Sequence, residues 1–163
     1  MCNFLSVLIL KNGDVKHHPM LDSHSDLIAY FQLPDNTPFI HHFAKAELTP
    51  TDWMDPATWR WRIDEEMRPA WLDDVEGAAE AAARRVAGRM ILPDALPRLI
   101  VDGCWILGGN RVLRDVCGGR ILRVQDSAQI HGVRGSAQIH GVWGSALLDE
   151  SAKAHVAPVE AHA

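Results

Sequence analysis

Cys2, nine histidines and a run of carboxylates supply most of the reactive side chains in this 163-residue chain. Removal of Met1 makes Cys2 the first residue. Its own α-amine can then act as base for its thiol, giving an N-terminal nucleophile suited to amide hydrolysis. The plainer reading makes Cys2 a small residue at the edge of the first strand. His17-His18 and His41-His42 are adjacent pairs in stretches expected to be strands, so the members of each pair face opposite sides. One of each can meet His24 across a sheet and bind a metal. No HExxH or HxH spacing accompanies them, and wet strand surface is the plainer reading, so no metal site and no cofactor is assigned. Asp64-Glu65-Glu66, with Asp73 and Asp74 nearby, has the composition of an acid/base or magnesium cluster. At the mouth of a helix the same carboxylates complement the helix dipole. Gly108-Gly109 and Gly118-Gly119 lack the spacing of a nucleotide loop.

A second group of candidates comes from a repeat. Residues 127–133 read SAQIHGV, residues 136–142 read SAQIHGV again, and Ser145-Ala146 opens a third copy, a period of nine. The phase extends outward through Val112, Ile121, Ile130, Ile139 and Leu148, through Val124, Val133 and Val142, and through Ala128, Ala137 and Ala146. A degenerate last unit begins at Leu148. Short repetition of this kind implies stacked units that bury their apolar side against their neighbours. Within a unit, Ala128 and Ile130 point inward and Gln129 and His131 outward, with Gly132 and Gly135 letting the chain bend. The expected result is a short β-solenoid; the number of repeats per coil is open, and a twisted antiparallel meander is the alternative. If the units stack directly, His131 and His140 form one outward ladder and Gln129 and Gln138 another. Trp143 replaces Arg134 in the repeat frame and is expected to point outward. Trp143, Arg134, Gln129, His131, Gln138 and His140 are therefore the expected partner-contact residues.

The rest of the chain reads as an α/β head. Residues 3–10 are apolar and β-prone, Asn12-Gly13 is a hairpin signal, and residues 15–18 form the return strand. Ser23 or Ser25 caps a short helix ending near Phe31. Residues 39–48 and 59–63 read as strands. A long helix spans 69–90, with Leu72, Val75, Ala79, Ala82, Val86 and Met90 as its apolar stripe. Trp53, Trp59, Trp61 and Trp71 fall close together, either anchoring helix to sheet or forming an exposed aromatic patch. The expected organisation is α+β: a head over 1–97, a repeat module over 98–156 and a frayed tail over 157–163.

Composition narrows the classes. Hydrophobic residues make up 47% and charged residues 23%, which excludes wholesale disorder. A net charge of -5 has the wrong sign for a sequence-independent nucleic-acid binder. Three cysteines, Cys2, Cys104 and Cys117, without CxxC spacing point to a reducing compartment and no zinc knuckle. The apolar run at 4–10 is too short to span a bilayer and has no signal-peptide flanks, so no membrane is expected as partner and the cytoplasm is the expected location.

The opening MCNF, the block from Ser23 through His24 to Ile28, the block from Trp61 through Asp64-Glu65-Glu66 to Trp71, and the V-x-x-S-A-x-I repeats together resemble an uncharacterised family of phage and mobile-element accessory proteins. The resemblance covers most of the chain and carries over no site residues. It implies a host-cell setting and contact with a host protein, with inhibition of a defence system, as anti-CRISPR proteins do, as the most concrete form. In the repeat, a small residue four after each aliphatic one also partly resembles the hexapeptide left-handed β-helix, a family that includes acyltransferases; each unit here is three residues longer. The start MCN resembles the MCG of class II glutamine amidotransferases at Cys2 alone. The primary expectation is a non-enzymatic binding protein, able to form a homo-oligomer through an open solenoid end. A Cys2 or metal-dependent hydrolase and a self-assembling virion component are the alternatives.

Overall fold

The computed structural model describes residues 5–93, 100 and 102–156. Contacts divide the chain into two units, Met1–Gly88 and Arg89–Ala163. Cys2, the expected boundary at 97/98 and the expected frayed tail over 157–163 lie outside the described residues.

The first unit is built on a four-stranded antiparallel sheet of order β2-β1-β3-β4. β1 (Leu5–Leu10) turns at Gly13, whose φ of 83° suits glycine, into β2 (Val15–Lys16). α1 (His24–Tyr30) starts at Ser23, whose hydroxyl accepts from the Asp26 amide at 3.4 Å. β3 (Phe43–Thr49) runs beside β1 from Leu10↔Phe43 to Leu5↔Leu48. After a 3-10 turn at Pro56–Thr58, β4 (Arg60–Ile63) pairs with β3 from Thr49↔Arg60 to Ala46↔Ile63. α2 (Leu72–Met90) closes the unit.

Strand alternation sorts the two faces of this sheet. Leu8, Phe43, Glu47 and Arg62 share one face, and Leu8 and Phe43 pack with Leu27 of α1. Each of these three apolar side chains contributes roughly 1.5–3 kcal/mol when fully buried. Ala44, Ala46, Leu48 and Trp61 share the other face, where the Trp61 indole donates to Glu76 of α2 at 3.0 Å. α2 buries Leu72, Ala79, Ala83 and Ala87, a line rotated from the expected stripe, with Val75, Ala82, Val86 and Met90 half-buried on its flank. The buried line is thus mostly alanine, with Leu72 at its start. It begins at Leu72, not Pro69, because residues 69–71 form a turn held by the Leu72 amide on the Pro69 carbonyl.

Two expected strands are shorter than the sequence suggests. β2 stops at Lys16, so His17 lies outside it. β3 starts at Phe43, because the Asn36 side chain accepts from the His42 amide at 2.8 Å and donates to the Phe43 carbonyl at 2.9 Å. His41 and His42 therefore sit in a loop, and the strand alternation expected of both histidine pairs does not arise.

The second unit contains two parallel three-stranded sheets, with no closed barrel among the described residues. One joins β5 (Cys104–Leu107), β7 (Arg120–Val124) and β9 (Gln138–Ile139). The other joins β6 (Val112–Leu113), β8 (Gln129–Ile130) and β10 (Leu147–Leu148). Arg120 pairs with Gln138 and Gln129 with Leu147, eighteen residues apart, and Val112 pairs with Gln129, seventeen apart. Successive nine-residue repeats thus alternate between the sheets, and each meets the repeat two places on. Single parallel bridges Ile100–Val116–Val133 and Val124–Val142 add two further ladders. Leu113, Ile121, Val124, Ala128, Ile130, Val133, Ala137 and Ile139 fill one shared core. The antiparallel meander is excluded by this pairing.

Backbone rests on backbone where the rungs turn. Gly132, at φ 64°, would place a Cβ 2.3 Å from the Arg114 carbonyl oxygen, eighteen residues earlier in the chain. The last repeat becomes α3 (Glu150–Lys153), which buries Ala152 in the shared core. The edge beyond β5 is taken by Ile91 and Leu92, and that beyond β9 by His155 and Val156. A second copy adding a strand at either place, as the expected open end would allow, finds the edge occupied.

Gly132→Ala is expected to lower unfolding stability by at least about 2 kcal/mol, through the left-handed backbone and the carbonyl clash together. Gly77→Ala, at an exposed position of α2 with nothing within 4 Å of the new methyl, is expected to raise stability by roughly 0.5–1 kcal/mol. Denaturant unfolding of the two variants measures both signs; a neutral Gly132→Ala contradicts the stacking.

Candidate functional site

In the first unit, a polar cluster forms on the sheet face that α1 covers. Glu47 is 2% exposed and needs a counter-charge. Its cross-strand neighbour Arg62 provides one, with Nη2 2.8 Å from Glu47 Oε2 and 3.2 Å from Asp64 Oδ1. Asp64 follows β4 and is tied back by its amide, which donates to the Lys45 carbonyl at 2.8 Å. Its other oxygen lies 3.5 Å from His24 Nδ1. His24, buried in the first turn of α1, directs Nε2 at the Ala46 carbonyl, 3.0 Å away. Glu65 accepts from the Lys45 amide at 2.7 Å, standing in for a strand neighbour.

Beside this cluster lies a cleft of about 680 Å³, lined among others by His41, Lys45, Arg62, Asp64 and Glu65. The Nδ1 of His41 is buried there without a hydrogen-bond partner. Asp64 and Glu65 are therefore not simple dipole complement at a helix mouth. That role falls to Asp73 and Asp74 in the first turn of α2. His24 does join an acidic group, but its neighbours are Glu47 and Asp64, not the histidine pairs.

Two tryptophans of this unit are tied into it by their indole N–H groups. Trp59 is 1% exposed, donates to the Asp52 carbonyl at 2.6 Å and stands edge-to-face with Trp53 at 6.2 Å. Trp61 fastens α2.

In the second unit, the expected contact residues divide between surfaces. Gln129 lies in β8 and His131 directly after it, whereas Gln138 lies in β9 of the other sheet and His140 directly after it. The histidine and glutamine ladders do not form, because adjacent repeats do not stack on each other. On the β7–β9 side, Arg120 Nε donates to His140 Nε2 at 3.0 Å, and Arg123 lies 4.0 Å from the centre of the Trp143 ring. That ring rests over Gly141, where a Cβ would come within 1.6 Å of it. Trp143 remains 43% exposed. Burial pulls the Arg123 guanidinium down, opposed by Asp126. Arg134 is exposed, with Asp115 at 3.8 Å.

On the β8 side, His131 Nε2 meets the Gln129 side-chain oxygen Oε1 at 3.3 Å, and its Nδ1 lies 3.7 Å from Asp149. Cys104 is buried, and burial pushes its thiol up, away from reactive thiolate.

Glu47 and Arg62 were not singled out from the sequence. The signal available was a carboxylate at the Phe43, Lys45, Glu47 alternation of an otherwise apolar strand, facing an arginine in the next one. Among the described residues no helix is long and apolar enough to cross a membrane. Set against protein-family models, curated proteins and solved structures, the chain matches none of them.

Asp149 clamps the last rung. The Ser151 hydroxyl, then the Ala152 and Gly132 amides, donate to its carboxylate and hold it at about 2, with the His131 charge adding a smaller pull. A carboxyl lowered in the folded state contributes stability in full above its unfolded value of about 4, and that contribution is lost as pH falls through about 2. Hydrogen-exchange protection of the Gly132 and Val133 amides is expected to fade over that window. In Asp149→Ala it is expected to be weak at every pH, and wild-type protection in that variant would refute the clamp.

Proposed function

We propose that the repeat unit is a short β-solenoid with two nine-residue repeats per coil, and that the protein acts without chemistry of its own by binding a partner protein. Pairing at a spacing of seventeen to eighteen residues supports the coil. The contact face is the outer surface of the β5-β7-β9 sheet. The observation that carries this reading is Trp143: a large apolar ring left 43% exposed, yet held between Gly141 and the Arg123 guanidinium. A pre-positioned indole beside arginine is the composition of interface hot spots, because little side-chain entropy remains to be lost on binding.

Charge indicates the kind of partner. Residues 102–148 hold five arginines, three aspartates and no lysine or glutamate, whereas the whole chain carries -5. The favoured partner surface is acidic. Following the resemblance to phage and mobile-element accessory proteins, that partner is a component of a host-defence complex, and the protein is an inhibitor of the anti-CRISPR kind working in the host cytoplasm.

A pull-down from a host carrying active defence, followed by titration with the purified partner, tests it. The expected result is a stoichiometric complex that Trp143→Ala weakens by about thirtyfold or more, with an unchanged far-UV spectrum. Plaque formation on the defended host is expected to rise with wild type and not with the variant. Recovery of the protein alone, or equal binding by Trp143→Ala, ends this reading.

A further inference from the structure

The α1-covered face of the first sheet offers a different chemistry. His24 from α1, Glu47 from β3 and Asp64 from the end of β4 each bring one ligand atom within 4.8 Å of the others. We propose that these three side chains hold a divalent first-row transition-metal ion, and that Arg62 is the cation it displaces.

The histidine geometry carries the argument. A backbone carbonyl can only accept, so the 3.0 Å contact to Ala46 requires the ring proton on His24 Nε2. Donation of one ring N–H to a carbonyl is how metal-binding histidines are oriented, leaving the other nitrogen to present its lone pair. Here that other nitrogen, Nδ1, faces Asp64 Oδ2 at 3.5 Å. A proton on Nδ1 makes this contact an ion pair, and a bound cation takes the place of that proton between the two groups.

Glu47 adds a second carboxylate from an almost fully buried position. Arg62 supplies the positive charge, but its side chain is 55% exposed and reaches in from the solvent side. It can swing outward while the three ligands stay anchored to the sheet and helix. One imidazole with two carboxylates suits zinc or manganese better than calcium, which prefers more oxygen ligands, and two negative charges match a divalent ion. Asp64 and Arg62 also line the 680 Å³ cleft. An ion held by Asp64 therefore borders that cleft, from which water can fill its further positions, as at an open rather than a closed structural site.

Untagged, chelator-stripped protein titrated with Mn²⁺ tests the proposal, the electron paramagnetic resonance signal of the free ion reporting what is bound. Wild type is expected to bind one ion per chain, with Zn²⁺ displacing it. Asp64→Asn and His24→Gln are expected to weaken binding by about 10- to 100-fold. Asp64 is 39% exposed, so Asp64→Asn is the variant expected to keep its fold, checked by circular dichroism. Arg62→Ala is expected to bind Mn²⁺ more tightly than wild type, and its thermal midpoint is expected to rise more on adding the ion. An undiminished free-ion signal with wild type, equal binding by folded Asp64→Asn, or weaker binding by folded Arg62→Ala each overturns the proposal.

Discussion

A backbone amide or carbonyl that leaves water must find a partner, and this molecule meets that demand mainly by strand pairing. Where pairing stops, a side chain takes over. Asn36 serves β3 at its start, and Glu65 takes the Lys45 amide beyond the end of β4. Asp126 accepts from the Gly109 amide, and Asp149 and Ser151 accept from the amides of Gly132 and Val133. The polar residues at these places are structural terminators. Their positions decide how far each strand runs, and so which side chains the sheet faces can bring together.

Both units bury small residues, in different ways. In the first, α2 buries Ala79, Ala83 and Ala87, and the sheet face opposite α1 carries Ala44 and Ala46. In the second, glycine at the turns removes the one atom that would separate successive rungs. The same economy leaves polar groups deep in the first unit, where Glu47 depends on Arg62. The core of the second unit is made of aliphatic ladders.

Much of the architecture was legible because it follows periodicity. The nine-residue repeat announced stacked strands, and Ala128, Ile130 and Val133 are buried as their phase required. The rung spacing was not legible. Burial repeats every nine residues whether one repeat or two complete a rung, so the pattern is identical until strand partners are known. The start of β3 was misplaced where Asn36 intervenes, because one side chain's hydrogen bonds outweigh β propensity over a few residues. In the cluster, His24 and Asp64 belonged to blocks that stood out, whereas Glu47 and Arg62 lay in short strands where a charged residue ordinarily marks the wet side. Their proximity depends on the β3–β4 register and on where α1 lands, which local patterns do not encode.

The alternation of repeats between two sheets imposes a parity on the second unit. Adding a single nine-residue unit upstream of Trp143 transfers the indole, and every outward residue after it, to the opposite surface. Adding a pair lengthens the stack by one rung and leaves each side chain on its original surface. Change in length is therefore compatible with a preserved contact face only in even steps, and an odd step exchanges one surface for the other while the interior ladders of alanine, isoleucine and valine continue unbroken.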